Sequence, residues 1–290
     1  MTAMAVSLQK AQQFMWLNAR LVDRLLFEFH FSGGTADHAV AALRPYQNAD
    51  GGFGNAIEPD MRGPVSQPCA VDLAFTILDQ LDAMGDPMVM SALTYLESIT
   101  RPDGGVPFVL PSVKDYPRAP WWETDDDPPG SLNPTAALVG RLSKYQVTHP
   151  WIDRATAFCW AKLDELTSTS PYEIRAVIPF LDYVPDRMRA LQVWERYSKL
   201  ILDGDNITLD PHAEGEVHSP LDFAPTPDTL ARQLVSDDVI SDHLDAVAAR
   251  QDADGGWRFN FPSWTPITEP EWRGWVTLEN MLMLRSYGRL

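Results

Sequence analysis

A chain of 290 residues with 45% apolar content can bury a sizeable core as one large domain or two small ones. Its 23 basic and 40 acidic residues give a net charge of −17, which opposes nucleic acid and anionic membrane over most of the surface, although a local Arg cluster could still hold one phosphate. Cys69 and Cys159 are the only cysteines and form neither a disulfide framework nor a CxxC metal site. A reducing cytoplasm follows as the expected compartment, because no run of about 18 apolar residues exists and residues 1–10 lack the order of an export signal.

Apolar residues at Phe14, Leu17, Leu21, Leu25 and Phe29 predict one helix over 6–29. Thr35 is placed to cap a second helix over 35–47, and prolines open the next two, 68–84 and 87–100. Helical periodicity continues over 134–145, 150–166, 172–183, 186–202, 228–234, 237–251 and 274–287. The count is eleven helices, with no alternating strand.

Three copies of one short text punctuate these helices: Gln47 to Phe53, Thr100 to Val106 and Gln251 to Trp257, each with Asp-Gly-Gly at its centre. Glycine takes positive φ at a helix exit without a steric penalty, and Asp can bond nearby backbone N–H groups. Asp50 and Asp103 are 53 residues apart, and Asp254 follows after nearly three more such periods. Further copies are expected near 154 and 204. Only the second position has a trace, Asp203-Gly204. A period of about 50 residues with helices between the marks reads as stacked helical hairpins. Helices that close on a mark form one ring and those that follow the long loops form the other, so the expected architecture is an all-α, α/α toroid of about six hairpins, with eleven or twelve helices in a single domain over 1–290.

The Gln-x-x-Asp-Gly-Gly-Trp/Phe text resembles the repeat of the terpenoid cyclase and protein prenyltransferase β-subunit superfamily. That resemblance implies an α/α toroid whose central cavity accepts isoprenoid chains. Class II cyclases of this kind carry an Asp-x-Asp-Asp acid motif ahead of an inner helix beginning Thr-Ala. Here Ser131-Leu132-Asn133-Pro134 stands in that place, before Thr135-Ala136. Glu123-Thr124-Asp125-Asp126-Asp127 lies slightly upstream; it is either a crowd of carboxylates that raise one another's pKa or a solvated acidic loop. The zinc site of prenyltransferases has no counterpart, since neither cysteine stands in an Asp-x-Cys pattern and the six histidines lack paired ligand spacing. No metal and no cofactor are expected.

The repeat places the loops 55–67, 107–133, 206–227 and 258–273 at the same point of the unit, so they are expected to gather at one end. Loops of this length usually carry function. The substrate-binding candidates are Asp60, Arg62, Tyr116, Arg118, Trp121, Trp122, Phe223, Trp264, Trp272 and Arg273, which are either the lining of a mainly apolar pocket or a rigid lid with its Arg residues paired to local acids. Asp125 or Asp126 is the candidate acid, Asp222 or His218 the candidate base, and the Trp faces would stabilise developing positive charge. A lone histidine such as His218 is more often a structural hydrogen-bonder than a catalyst. Glu173 and Glu279, near or on inner helices, either face the cavity, cap a helix or pair with an Arg. The expected function is a terpenoid-cyclase-like enzyme, an isomerase or lyase, acting on a small apolar isoprenoid-like ligand. Two other readings are a non-catalytic binding or interaction toroid with an unknown protein partner, and a carbohydrate-processing toroid with carboxyls about 5–9 Å apart.

Overall fold

Prolines and short polar caps mark the helix starts in this chain, and the computed structural model, which describes residues 6–290, has helices where those signals stand. Met1–Ala5, part of the segment read for an export signal, lie outside the described residues. Twelve α-helices occur among the described residues: α1 (Leu8–Asn18), α2 (Leu21–Phe31), α3 (Ala36–Leu43), α4 (Pro68–Gln80), α5 (Pro87–Ile99), α6 (Leu132–Lys144), α7 (Pro150–Glu165), α8 (Pro171–Tyr183), α9 (Arg187–Asp203), α10 (Pro220–Phe223), α11 (Asp237–Ala249) and α12 (Thr268–Ser286). No strand occurs among these residues, only isolated bridges pairing Gln47 with Phe53 and Met61 with Arg118. The all-α class expected from the periodicity is the class observed. Pro opens α4, α5, α7 and α8, where its missing N–H is no loss. Asp86, His149, Ser170 and Ser236 each accept a first-turn N–H as caps.

Three expectations need correction. The helix expected over 6–29 is two helices, α1 and α2, broken at Ala19 and Arg20. Arg20 is the N-cap of α2 in extended conformation, and its guanidinium grips the fully buried Asp23 at 2.7 and 3.0 Å. Leu17 and Leu21 are consequently 74% and 57% exposed, while Phe14, Met15, Val22, Leu26 and Phe27 form the buried face. The helix expected over 228–234 is a 3-10 turn, Leu230–Leu234. Finally, α12 begins six residues before 274, with Pro270 accommodated in its first turn and Glu269 and Glu271 near its positive end.

The chain forms two compact units, one comprising residues up to Ala42 with Ile201–Leu290, the other Leu43–Leu200. In the second, α6 packs on α4, α7 and α8, and α5 lies against α4 and α7. Gly140 permits the closest of these crossings, since a Cβ there would stand 2.4 Å from the Pro179 backbone in α8. In the first, α1 packs on α2 and α12, α12 also meets α2 and α11, and α10 lies on α11.

The Asp-Gly-Gly marks are three copies of one knot. The Asp carboxylate accepts the N–H two residues on: Asp50 from Gly52 at 2.9 Å, Asp103 from Gly105 at 3.2 Å and Asp254 from Gly256 at 3.0 Å. Asn48, Arg101 and Asp252 donate their N–H groups to the second glycine's carbonyl and accept from the first glycine's N–H. The first glycine stands at φ +89°, +97° and +95° at Gly51, Gly104 and Gly255. A Cβ there would lie 2.2, 2.6 and 2.2 Å from the carbonyl oxygens of Ser91 in α5, Arg154 in α7 and Lys10 in α1. The second glycine lies against the ring of Tyr95, Phe158 or Phe14 from the same three helices. Gln47 and Gln251 complete the joint, donating to the Met88 and Ser7 carbonyls at 2.9 and 3.0 Å. In the second copy Thr100 Oγ1 instead accepts from Trp151 Nε1 at 2.7 Å. Each knot thus ties a helix end to the flank of another helix, and the third ties residues 251–256 to α1 within the first unit.

The expected copy near 154 falls inside α7, which leads to α8 through only five residues. At 202–205 the exit from α9 is built differently, with Asp205 at φ +54° and the Asn206 amide bonded to the Ile201 carbonyl at 3.3 Å.

Gly51→Ala combines a disfavoured φ with a backbone overlap and is expected to cost roughly 3 kcal/mol. Gly33→Ala, at φ +72° with nothing within 4 Å, isolates the backbone part and should cost about 1 kcal/mol. Chemical denaturation of both variants measures the difference.

Candidate functional site

The loops after the first two knots are stitched together. Asp60 O accepts the Ala119 N–H at 2.9 Å, Pro117 O accepts the Arg62 N–H at 3.0 Å, and the Gln67 carboxamide holds the Leu110 N–H at 2.8 Å and Ser112 Oγ at 3.0 Å. Tyr116 lies on Gly63, where a Cβ would stand 2.9 Å from its ring. These contacts bury Asp60 to 2% exposure and leave Arg62 and Tyr116 half-buried. A turn closed by Trp122 N–H on Ala119 O follows. Trp122 is 8% exposed and stacks on Phe108 at 5.1 Å between ring centroids, whereas Trp121 is exposed. Arg118 donates to the Lys114 carbonyl at 3.1 Å and pairs with Glu123 at 2.7 Å.

The acidic run lies on the surface. Asp125, Asp126 and Asp127 are all exposed, with Asp126 paired to Lys114 at 2.8 Å and Asp127 to Arg101 at 2.9 Å. The hydrogen bond and charge of Lys114 hold the Asp126 carboxyl below the usual carboxylate range. A carboxylic acid that must keep its proton needs the opposite surroundings.

The last two loops also meet each other: Asn260 Nδ2 donates to the Val217 carbonyl at 2.7 Å. His218 holds the Thr208 N–H through its carbonyl at 2.8 Å and lies beside the buried Phe223 at 6.2 Å between rings. Asp222 accepts from Ser219 N–H and Oγ at 2.7 and 2.9 Å in a capping box that starts α10. Trp264 and Trp272 are half-buried, and Trp272 meets Phe261 edge-on at 5.1 Å while Phe261 stacks on Phe259 at 4.5 Å. Arg273 belongs to the third knot. Its guanidinium binds Asp254 with two contacts of 2.9 Å and Asp252 at 3.4 Å, and covers the Phe14 ring at 4.6 Å. Of the fourteen expected residues, Asp60, Arg62, Tyr116, Arg118 and Trp122 come together in one unit; in the other His218 pairs with Phe223 and Trp272 joins Phe259 and Phe261, while Trp121, Asp125 and Asp126 are exposed and Asp222 and Arg273 are taken up by a helix cap and the third knot. Phe108, the partner of Trp122, was not among them, although it stands two residues beyond the second knot.

Glu173 and Tyr197 share Thr169, whose Oγ1 donates to Glu173 at 2.9 Å and meets the Tyr197 hydroxyl at 2.8 Å. Burial raises the Glu173 carboxyl. Since Tyr197 is on α9, this carboxyl sits between α8 and α9. Burial lowers His243, which bonds the Leu209 carbonyl at 3.1 Å. Among the described residues no group of three or more His, Cys, Asp or Glu is arranged to hold a metal ion. A recess bordered by Gly54, Ile57, Met61, Gln67, Ala70 and Val113 has about 10 Å³ of open space, enough for about one water molecule and no larger ligand.

Arg273→Gln removes the clamp on the third knot and is expected to cost about 1–2 kcal/mol at neutral pH. The Arg273 hydrogen bond depresses the Asp254 pKa, so its stabilisation is complete above the ordinary Asp range and is lost as pH falls through the lower folded value. Thermal melts of both proteins should differ most at neutral pH, and the difference should begin to shrink only as pH falls below about 4 and close beneath the lowered folded pKa of Asp254.

No known family model and no curated protein sequence matches the chain. Solved structures do. A crystal structure of a protein from Actinoplanes is similar over 97% of this chain and 98% of its own, at 16% identity and a TM-score of 0.60. The type II terpene cyclase MstE from Scytonema is similar in two ligand complexes: a variant with the product merosterolic acid A (12% identity, 97% and 87% coverage, TM-score 0.52), and a variant with the substrate geranylgeranyl dihydroxybenzoate (10%, 97% and 87%, 0.51). At these identities the likeness is one of fold, and the chain has a terpenoid-cyclase-like fold.

Proposed function

We propose that this chain is an enzyme, a cyclase, isomerase or lyase, that acts on a small, largely apolar, isoprenoid-like substrate by metal-independent acid–base chemistry through a carbocation, within one toroidal domain. The observation that carries the proposal is the fold likeness, over 97% of the chain, to a type II cyclase with an isoprenoid substrate in one structure and its product in another. Such chemistry needs a carboxyl shielded from water to deliver a proton, aromatic faces for the cation and a base to finish. In this proposal the acid moves from Asp125 and Asp126, which are exposed, to Asp60, which is 2% exposed on the loop tied to the Trp122 turn. Trp121 and Trp122 supply the faces. Asp222, the other candidate base, is engaged as the helix cap of α10. The cavity and the cytoplasmic setting belong to the same proposal.

A second reading, a binding protein without catalysis, is favoured by the ion pairs that occupy Asp126 and Asp127. Incubation with farnesyl- and geranylgeranyl-bearing substrates, followed by gas chromatography and mass spectrometry, separates the two. The enzyme reading expects a new isomeric or cyclised product, lost by about a hundredfold or more in Asp60→Asn and changed less than about threefold in Asp126→Asn. The reverse ranking would remove Asp60 from the acid role, and saturable binding with no product would favour the second reading.

A further inference from the structure

We infer that the turn at 118–122 is a receptor for an oxyanion, a carboxylate at one end of the substrate; this rests on the isoprenoid reading above and deepens it. Two N–H donors on this turn, Arg118 Nε and Trp122 Nε1, are buried and have no acceptor. Buried donors are nearly always met, and an unmet one destabilises the segment that holds it, so two on one five-residue turn are an unusual concentration. Neither arises from a misplaced side chain. Arg118 is held by its other two nitrogens, on the Lys114 carbonyl and Glu123, and the Trp122 ring is held by its stack on Phe108. The backbone is held as well, by Trp122 N–H on Ala119 O and Ala119 N–H on Asp60 O.

Both groups can only donate. The partner they lack is therefore an acceptor, and the two oxygens of a carboxylate match two donors, one of them on a guanidinium, where hydrogen bonds to an anion are strongest. An ammonium group has no acceptor to offer. The face of Phe108 stacked on Trp122 is an apolar flank, which suits a hydrocarbon chain behind the acidic end. A chain of net charge −17 disfavours an anion at long range, so a preference for one must come from donors at contact distance.

The test is calorimetric titration of the full chain with two probes of equal chain length, farnesoic acid and farnesylamine. The acid is expected to bind at least tenfold tighter than the amine. Trp122→Phe, which keeps a ring on Phe108 and deletes the N–H, is expected to weaken the acid about tenfold and the amine by less than about twofold, with a circular dichroism spectrum and melt like those of the unaltered chain reporting that the variant is folded. Arg118→Lys, which keeps the charge and deletes Nε, should act in the same direction. Equal binding of the two probes, or an acid affinity unmoved in both variants, overturns the oxyanion receptor while leaving the isoprenoid reading intact. Failure of both probes to bind the unaltered chain overturns the two together.

Discussion

A glycine pressed against a carbonyl oxygen of another helix is the constraint on which the rest of this structure depends. At Gly51, Gly104 and Gly255 the chain leaves one helix at positive φ and passes so close to the next that no side chain fits. The Asp before each glycine holds the turn through its N–H bond, and the second glycine admits an aromatic ring. The residue that follows, Phe53, Val106 or Trp257, is then driven into the core. From Val106 and Trp257 the backbone N–H reaches a threonine hydroxyl, Thr135 of α6 or Thr277 of α12, both fully buried. One short text therefore sets three things in turn: where a helix stops, which helix flank it joins, and how the chain begins its crossing toward the next helix.

This division of labour separates architecture from chemistry. Asp50, Asp103 and Asp254 are committed to their knots, and the cation Arg273 is committed to the third. The proposed recognition lies in the long loops, where the first two are stitched to each other and bury Asp60 and Trp122 while Asp125, Asp126 and Asp127 stay exposed. A fold shared with type II cyclases at 10–12% identity fits this pattern, since the joints demand few residues and leave the loops free to diverge.

How much of this was legible in the text follows from the range of the forces involved. Helix starts at Pro68, Pro87 and Pro150 were readable because proline acts on its own φ, and the knots because glycine does. The split between α1 and α2 was not readable. The apolar period runs unbroken through Leu17 and Leu21, and the break is made by Arg20 on the buried Asp23, with Gly274 from α12 seated on Ala19. The start of α12 was hidden by Pro270. Within the candidate site, the kinds of residue were legible and their surroundings were not: Arg273 looks like a ligand handle until folding brings Asp254 beside it, and the burial of Asp60, a candidate from the sequence, appears only when residues 117–119 bond to its loop. Burial of this sort is a property of two loops together, which no single stretch of sequence displays.

The claim at the centre of this account is that recognition belongs to the stitched loops and not to the knots. Hydrogen–deuterium exchange of the full chain, with and without a saturating geranylgeranyl-chain carboxylic acid, tests it most directly. The account predicts new protection concentrated at 55–67 and 107–131, with the amides of Gly52, Gly105 and Gly256 unchanged because their bonds are already made. Protection confined to the knots or to helix surfaces, with those two loops unmoved, would contradict it.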